Sequence, residues 1–455
     1  MILMKFGGTS VADAARMRAA AEIVRGRLSQ GPVVVVVSAL AGVTDLLVRA
    51  VAAAQAGERE VLEPILADLS RRHRWAVSGG LEDAARRHDV GLEVDALFED
   101  LRQLLRSMRV LGEGTPRSSD ALLAFGEILS SRIVAAVFSD CGLDTRLIDA
   151  REVMITDAAF GAAEPDVEEV KERGRRHVMP VLAAGQVPVF GGFFGATKDG
   201  RTTTLGRGGS DTSAAILGAA LGAREIEIWT DVDGLMTADP RRVPAARTQA
   251  TVSFAEAAEL AYYGAKVLHP AAIAPAVRSG IPVRVLNAAN PSGAGTLILG
   301  DTAENAPPLA SVASRSGVTT VRVASRTLRV DPGFLPRVLA AVDDEELVPD
   351  LVLASEVAVT LALPARAAQT ALASRLRAFA EIEMSEGRGI VCVVGHGLSG
   401  NGTSRGRVLA ALAVWDPEML ALGASVTSVA ALIPEERLDD CVRALHREFF
   451  EGHAA

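Results

Sequence analysis

Four glycine-rich segments carry hydroxyl and charged side chains in a pattern that suits the binding of phosphate or another anion. Glycine lets the backbone approach a ligand closely, and free N–H groups at a helix start favour negative charge. None of the four matches the P-loop or the dinucleotide-binding fingerprint, and each alone is more often an ordinary turn. Because all four are predicted to open helices, together they indicate one anion site. The segments are Lys5–Ser10, Ser38–Asp45, Gly191–Thr197 and Gly206–Asp211.

The charged residues in and near these segments divide by the chemistry that each side chain offers. Lys5 and Lys266 are candidates for phosphate oxygens, and the guanidinium of Arg207 suits a carboxylate or a phosphate. Asp211 either orients the lysines or caps the following helix, and residue type alone favours the cap. Lys266 and Glu127 are equally compatible with solvated surface positions, and sequence spacing leaves that choice open.

The elements that must position these residues follow an alternating strand and helix pattern over the first 300 residues or so. Such alternation predicts a mainly parallel sheet covered by helices, with the loops meeting at its carboxyl edge. Residues 49–110 lack strand signals and are rich in charge, which predicts a helical excursion. Strands are predicted at 2–6, 33–37, 187–190, 225–230 and 282–286, and helices at 12–28, 211–222, 254–261 and 271–279.

The texture of the sequence changes after a Pro/Gly/Ser-rich stretch at 290–317, which predicts a domain boundary. Beyond it the chain repeats itself. RVLAAV at 337–342 returns as RVLAAL at 407–412, and SEVAVTLALP from Ser355 aligns at the same offset with SVTSVAALIP from Ser425. Two copies of one strand–helix–strand unit explain these matches better than coincidence.

Composition excludes several classes of protein. The chain has 455 residues and a net charge of −9, which argues against an extended nucleic-acid surface. Its three widely spaced cysteines suit neither a disulfide framework nor a zinc site. The N-terminal residues lack a signal-peptide pattern, and no apolar run is long enough to span a bilayer. We therefore expect a cytoplasmic protein with no membrane or nucleic-acid partner.

Several motifs in this order together resemble the aspartate kinase family, most closely its monofunctional, lysine-sensitive branch. The motifs are KFGGTSV, VVVVSALAGVTD, GRTTTLGRGGSDTSA, WTDVDGLMTADPR, AYYGAKVLHP and GHGLSGNGTSRGRVLAAL. The resemblance implies an α/β catalytic domain, an amino-acid kinase-like three-layer sandwich with a mainly parallel sheet, followed by two α+β ferredoxin-like ACT domains. The expected bounds are 1–297 for the catalytic domain, 298–313 for a linker and 314–455 for the regulatory region. Its two ACT domains would cover about 314–384 and 385–455, and whether they intertwine is left open.

The resemblance also implies the reaction, which is transfer of the γ-phosphoryl group of ATP to the side-chain carboxylate of L-aspartate. Mg²⁺ would be held mainly through ATP, with no protein metal ligand. The implied catalytic residues are Lys5, Asp211 and Lys266, and the implied aspartate-binding residues are Thr44, Glu127, Arg207 and Ser210. The implied ATP-binding residues are Lys5, Gly7, Gly8, Thr9, Thr230, Asp231, Met236, Arg241 and Lys266, and Met236 departs from the Tyr of close relatives.

Feedback by an end-product amino acid, lysine, is implied by the ACT pair, as is a homodimer or homotetramer formed through it. The implied effector pocket is bordered by Phe334, Leu335, Asp350, Ser355 and Glu356. Two rival interpretations stay open at this point. One is a kinase for glutamate or acetylglutamate, and the other is a non-catalytic amino-acid sensor.

Overall fold

The computed structural model describes residues 1–264, 268–301, 306–326, 332–365, 369–423 and 425–451. The helices are α1 Ala14–Leu28, α2 Val43–Gln55, α3 Arg59–Gly80, α4 Ala84–Leu111, α5 Pro116–Leu123, α6 Phe125–Asp140, α7 Ala150–Val153, α8 Val167–His177, α9 Met179–Ala183, α10 Gly209–Leu221, α11 Phe254–Tyr262, α12 Pro270–Arg278, α13 Phe334–Asp343, α14 Gln369–Arg377, α15 Gly402–Ala413 and α16 Leu438–His446.

The strands are β1 Ile2–Phe6, β2 Val33–Val37, β3 Thr145–Ile148, β4 Ile155–Thr156, β5 Val187–Gly191, β6 Phe194–Thr197, β7 Thr202–Thr204, β8 Glu225–Thr230, β9 Thr251–Ser253, β10 Val283–Asn287, β11 Thr296–Leu299, β12 Ser311–Ser325, β13 Leu351–Ala354, β14 Ala358–Pro364, β15 Ala380–Val394, β16 Met419–Leu422 and β17 Ser428–Pro434. The predicted long helical excursion is confirmed as parts of α2, α3 and α4.

The chain divides into two compact units. The first contains residues 1–235 and 267–301, and the second contains residues 236–266 and 302–455. The domain bounds derived from the sequence stay a prediction. They place residues 236–266 with the catalytic domain, whereas in the structure this segment packs within the second unit.

The first unit is built on a mainly parallel sheet, as the alternating pattern predicts. Its strands run in the order β3-β5-β2-β1-β8-β10-β11, and β11 is antiparallel to β10. Helices α1 and α6 pack on the face that includes Ile2, Met4 and Phe6. Because side chains alternate along a strand, Lys5 points to the opposite face, where α10 packs on β1 and β2.

One detail of the sequence interpretation is wrong. The segment Gly191–Thr197 does not open a helix, because it leads from β5 into β6, which pairs with β7. The three threonines Thr202–Thr204 form β7 itself, and the helix begins only at Gly209. Consecutive β-branched residues favour a strand over a loop.

The second unit contains a six-stranded antiparallel sheet in the order β13-β14-β12-β15-β17-β16. The two 15-residue strands β12 and β15 pair along most of their length at its centre. The repeated sequences take equivalent places: 337–342 lies in α13 and 407–412 in α15, while the paired VTLALP and VAALIP segments lie in β14 and β17. The sheet is thus two similar halves joined through their long central strands.

Residues 236–264 are held to the rest of the second unit by hydrogen bonds that span much of the segment. Thr237 Oγ1 lies 2.8 Å from Nε2 of the fully buried His446. The carboxylate of Glu256 accepts from the His396 backbone N–H at 2.8 Å. Near the end of α11 the Tyr262 hydroxyl donates to the carbonyl oxygens of Pro349 and Asp350, both at 3.2 Å.

Among the described residues, one helical stretch, Pro116–Asp140, is long and apolar enough to cross a membrane, but 72% of its apolar window is buried in the fold. Such burial is typical of a core helix in a soluble protein.

Candidate active site

The loops that follow four neighbouring parallel strands are joined to one another by backbone hydrogen bonds. The Gly7 N–H donates to the Trp229 carbonyl, Ser38 N–H to that of Phe6, and Gly192 N–H to that of Val37, at 2.9, 3.1 and 2.9 Å. These bonds link the carboxyl ends of β8, β1, β2 and β5 in turn. The glycine loops therefore meet at one edge of the sheet, where open α/β folds bind ligands.

Glycine is required at several of these positions because neighbouring backbone atoms come too close for a side chain. A Cβ at Gly8 would lie 2.6 Å from the Ala39 carbonyl oxygen. One at Gly192 would lie 2.8 Å from the Cα of Ser210. The tight approach brings the loops after β1, β2 and β5 and the start of α10 into one compact site.

At the centre of the site Lys5 and Asp211 form an ion pair with little exposure to solvent. Lys5 Nζ lies 2.6 Å from Asp211 Oδ1, and the two side chains are 10% and 14% exposed. Asp211 lies in the first turn of α10, where the helix dipole also favours a carboxylate. The Asp211 side chain does not form the suggested helix cap. The N-cap residue is Gly208, with a φ of +71°, and no side chain caps this helix.

Glu127, in the first turn of α6, is 3% exposed and belongs to the site rather than to the surface. Burial raises the pKa of Glu127 to about 8, against the opposing effects of the Ala39 backbone N–H, the Lys5 charge and the Ser210 hydroxyl. Its Oε2 atom is buried without a hydrogen-bond partner among the described residues. A buried glutamate with a raised pKa and an unpaired oxygen atom is a candidate functional residue.

The first unit also has a cavity of about 350 Å³ at the carboxyl ends of β8 and β10. Three residues expected from the sequence to bind ATP line it: Thr9, Thr230 and Asp231. The cavity is within the usual size range of small-molecule sites. Its remaining lining includes Ser10, Arg16, Asn287 and Ala288.

Two expected substrate residues lie on loops that the fold fixes in place. Thr44 is half-buried in the first turn of α2, behind the left-handed Gly42, and the carbonyl of Ala41 accepts a hydrogen bond from Arg72 at 3.2 Å. Arg207 is exposed in the turn between Gly206 and Gly208, which have φ values of +73° and +71°. Within the described chain Arg207 makes no ion pair, so its guanidinium is available to an anion.

Comparison with known proteins identifies the family of the chain. The profile of the amino acid kinase family matches residues 1–287, and that of the ACT domain matches residues 391–449. The lysine-sensitive aspartokinase 3 of Escherichia coli is 36% identical over 466 residues, which cover 99% of each chain. The chloroplastic aspartokinase 2 of Arabidopsis thaliana is 34% identical over 99% of this chain and 84% of its own.

The chain belongs to the aspartokinase family. Two solved structures of the E. coli aspartokinase III resemble the whole fold, and each covers 99% of this chain. The complex with lysine and aspartate, described as the T-state, gives a TM-score of 0.87 at 35% identity. The complex with aspartate and ADP, the R-state, gives 0.82 at 34% identity. The chain is thus an α/β enzyme of the aspartokinase type with an ACT-containing regulatory region.

The structure brings most of the predicted catalytic-domain residues of this aspartokinase together in the first unit. Met236 and Arg241 lie in the second unit instead, where Arg241 is exposed and pairs with Asp239 at 2.7 Å. Lys266 lies outside the described residues. The individual roles of all these residues stay predictions.

The predicted effector residues divide between the core and the surface of the regulatory sheet. Asp350 is 8% exposed and its Oδ1 lies 2.5 Å from Arg315, while its Oδ2 is buried and unpartnered in the described part of the chain. Phe334 packs in the core against Phe379. Leu335 is partly buried beside the same core, and Ser355 and Glu356 are exposed.

Sequence reasoning missed Phe193, Asn287 and Asp120. Phe193 has a φ of +71°, a strained conformation for a bulky residue, and its N–H donates to the Ser213 hydroxyl at 2.9 Å. Asn287 ends β10 at the cavity and donates to Asp233 at 3.0 Å. Neither phenylalanine nor asparagine indicates a functional site by its residue type alone. For Asn287, the one signal in the sequence is its position at the end of a predicted strand, on the predicted binding edge.

The tight contact at Gly8 gives a test of this packing. We expect Gly8→Ala to destabilise the protein by about 1–3 kcal/mol, because the new methyl group meets a backbone carbonyl that cannot move freely. Gly26→Ala is the matched control, since Gly26 is exposed inside α1 with open space around it, and it should stabilise by about 0.5–1 kcal/mol. Urea unfolding of both variants measures the difference, and equal stabilities would contradict the packing described.

Proposed function

We propose that this aspartokinase transfers the γ-phosphoryl group of ATP to the side-chain carboxylate of L-aspartate, forming 4-phospho-L-aspartate, and that lysine inhibits it. The observation that carries the proposal is the buried cluster of Lys5, Asp211 and Glu127 in the first unit, which also has a cavity lined by Thr9 and Asp231. The cluster combines a cation with a carboxyl oxygen that has no partner among the described residues, and the cavity has the size that a small ligand needs. The ligands bound in the two E. coli structures, which are aspartate, ADP and lysine, support the assignment.

The acceptor carboxylate of aspartate is ionised at neutral pH and needs no general base. Its reaction instead requires that two anions be held close together, which depends on positioning and electrostatics. Lys5 and the amide groups of Gly7, Gly8 and Thr9 would hold the phosphates. Arg207 and Ser210 would bind the substrate carboxylate, and Glu127 would accept from its ammonium group.

Mg²⁺ is proposed to enter with the nucleotide. Among the described residues no three His, Cys, Asp or Glu side chains form a metal-binding group. Mg²⁺ is often coordinated mainly by phosphate oxygens and water, and we assign it no protein ligand. Bound in this way, the ion neutralises phosphate charge.

ATP-dependent formation of an acyl phosphate, trapped as the hydroxamate, tests the proposal directly. L-aspartate should give product and L-glutamate should not. Product from glutamate or acetylglutamate would show that the protein is a kinase for that amino acid instead. A folded protein that binds ATP but forms no product from any of them would be an amino-acid sensor.

Replacement of Lys5 tests its assigned role. We expect Lys5→Ala to lower kcat about a hundredfold or more, because a preorganised cation next to the transferred group is removed. Lys198→Ala is the control, since Lys198 is an exposed lysine that pairs with Asp166 at 3.0 Å and should leave kcat unchanged. Circular dichroism establishes that each variant is folded. Retention of wild-type turnover by folded Lys5→Ala would exclude the role.

Proton release on substrate binding tests Glu127. With a pKa raised to about 8, Glu127 is mostly protonated at pH 7 in the free protein, and an ammonium ligand at its carboxylate would lower that pKa. We therefore expect aspartate binding at pH 7 to release close to one proton, and binding at pH 9 to release almost none. Calorimetry in buffers of different ionisation enthalpy measures this release.

The Glu127→Gln variant supplies the control, because it has no proton to lose. Buffer-independent heat for the wild type at pH 7 would contradict the assignment.

The raised pKa of Glu127 also makes the stability of the fold depend on pH. Because the folded-state pKa is above the ordinary value of 4.5, this group favours the ligand-free fold most below pH 4.5, and its contribution falls as the pH rises to about 8.

Lysine inhibition is proposed to depend on Asp350, whose buried Oδ2 would accept from the effector's ammonium group. We expect Asp350→Asn to raise the lysine concentration for half-inhibition at least about tenfold, because one charge-assisted hydrogen bond to the effector is lost. Asp344→Asn is the control, because Asp344 is an exposed carboxylate of the same sheet's helix layer, paired with Arg375 at 2.8 Å. Equal inhibition curves for wild type and Asp350→Asn would contradict the role.

We also propose that the protein forms a homodimer or a homotetramer through the ACT region.

A further inference from the structure

Asp120, in helix α5, has a buried carboxylate in which both oxygen atoms are engaged. The residue is 1% exposed. Its Oδ1 accepts from the Thr204 hydroxyl at 2.8 Å. Its Oδ2 accepts from the backbone N–H groups of Thr204 and Gly161, at 2.8 and 2.9 Å. Three donors on one carboxylate satisfy it almost fully, which makes this a strong and specific anchor.

The donors belong to two different loops at the binding edge. Thr204 ends β7, and only Leu205 separates it from the glycine loop, whose Gly206 and Gly208 have positive φ values. Gly161 lies in the loop after β4, and a Cβ at Gly206 would be 3.2 Å from the Gly161 carbonyl oxygen. Asp120 therefore fixes the base of the glycine loop and the backbone that the loop packs against.

A glycine loop has little stiffness of its own, because each glycine has wide conformational freedom. The loop nevertheless has to present Arg207 and Ser210 at defined positions. Small displacements at such positions cost large factors in rate, since the reacting groups must be aligned. An anchor outside the loop supplies the missing rigidity.

We propose that Asp120 is a positioning residue for the amino-acid substrate, acting through Thr204 on the loop that carries Arg207 and Ser210. The inference rests on the proposed function, which assigns those two residues to the substrate. A purely structural carboxylate would affect stability alone. Replacement of Asp120, in contrast, should change the KM for aspartate more than the KM for ATP. The reason is that Thr204, which donates to Asp120, is close to the glycine loop and does not line the cavity beside Thr230.

Asp120→Asn is the main test, because it preserves shape but removes the negative charge from all three hydrogen bonds, even where the amide oxygen replaces Oδ2 and the NH₂ group donates to the Thr204 hydroxyl. We expect the KM for aspartate to rise at least about tenfold and kcat to fall, while the KM for ATP changes less than about twofold. Thr204→Ser retains the hydroxyl donor and should behave as wild type. Thr204→Val retains only the N–H donor and should show a smaller rise in the KM for aspartate. If Asp120→Asn fails to fold, Thr204→Val is the test in its place.

Asp140→Asn is the matched control. Asp140 ends α6 with a side chain that is 8% exposed, and its carboxylate accepts from the Glu82 backbone N–H at 2.7 Å and from Arg86 at 3.2 Å. Its loss should lower stability without changing either KM. A folded Asp120→Asn variant with wild-type constants would overturn the inference. Equal shifts in the Asp120→Asn and Asp140→Asn variants would also overturn it.

Hydrogen exchange separates failure of this inference from failure of the proposed function. A wild-type protein that forms no hydroxamate from aspartate would sink the proposed function alone. The amides of residues 204–211 still report on the anchor in that case. Faster exchange there in Asp120→Asn, and not in Asp140→Asn, supports the inference, and unchanged exchange overturns it.

Discussion

The ion pair between Lys5 and Asp211 is the interaction on which the rest of the candidate site depends. Both charges are largely removed from water, which is costly unless their geometry is tightly held. The geometry comes from the fold. Lys5 points from the central strand β1 toward the face covered by α10, and Asp211 lies in that helix's first turn. Backbone hydrogen bonds among the loops then fix the distance between strand and helix.

Charge balance explains why the site is prepared for a cationic group as well as for phosphate. Lys5 neutralises Asp211, and that leaves Glu127 in the same buried cluster without a counter-ion of its own. Burial raises the pKa of Glu127, and the nearby lysine offsets this effect only in part. An amino-acid ammonium group would supply the missing charge, while the exposed Arg207 stays available for a carboxylate. A substrate with both groups fits this pattern better than a simple anion does.

Much of this organisation could be predicted from the sequence, because it rests on patterns that are local. The five valines of β2, the alternating strands and helices, and the repeated RVLAA segments all mark their elements directly. Asp120 could not be found in this way. Its type is ordinary in a helix, and its partners Thr204 and Gly161 are 84 and 41 residues away along the chain. Burial of Glu127 was equally hidden, since a glutamate in a first helical turn is usually at the surface. The placement of residues 236–266 in the second unit depends on contacts such as that between Thr237 and His446, which are 209 residues apart.

Glu127 and Asp350 share one physical property although they lie in different units. Each is a buried carboxylate with a nearby cation, Lys5 in one case and Arg315 in the other, and burial raises the pKa of each. Each also leaves one oxygen atom without a partner in the described part of the chain. An unpaired buried oxygen is unfavourable for the fold by itself, and a ligand group that donates to it would remove that cost. The catalytic and regulatory parts of this aspartokinase would then recognise the ammonium group of an amino acid by the same means. Under the proposed function, selectivity between aspartate and lysine would come from the other groups of each site. These are the exposed Arg207 in the first unit and the apolar residues Phe334 and Leu335 in the second.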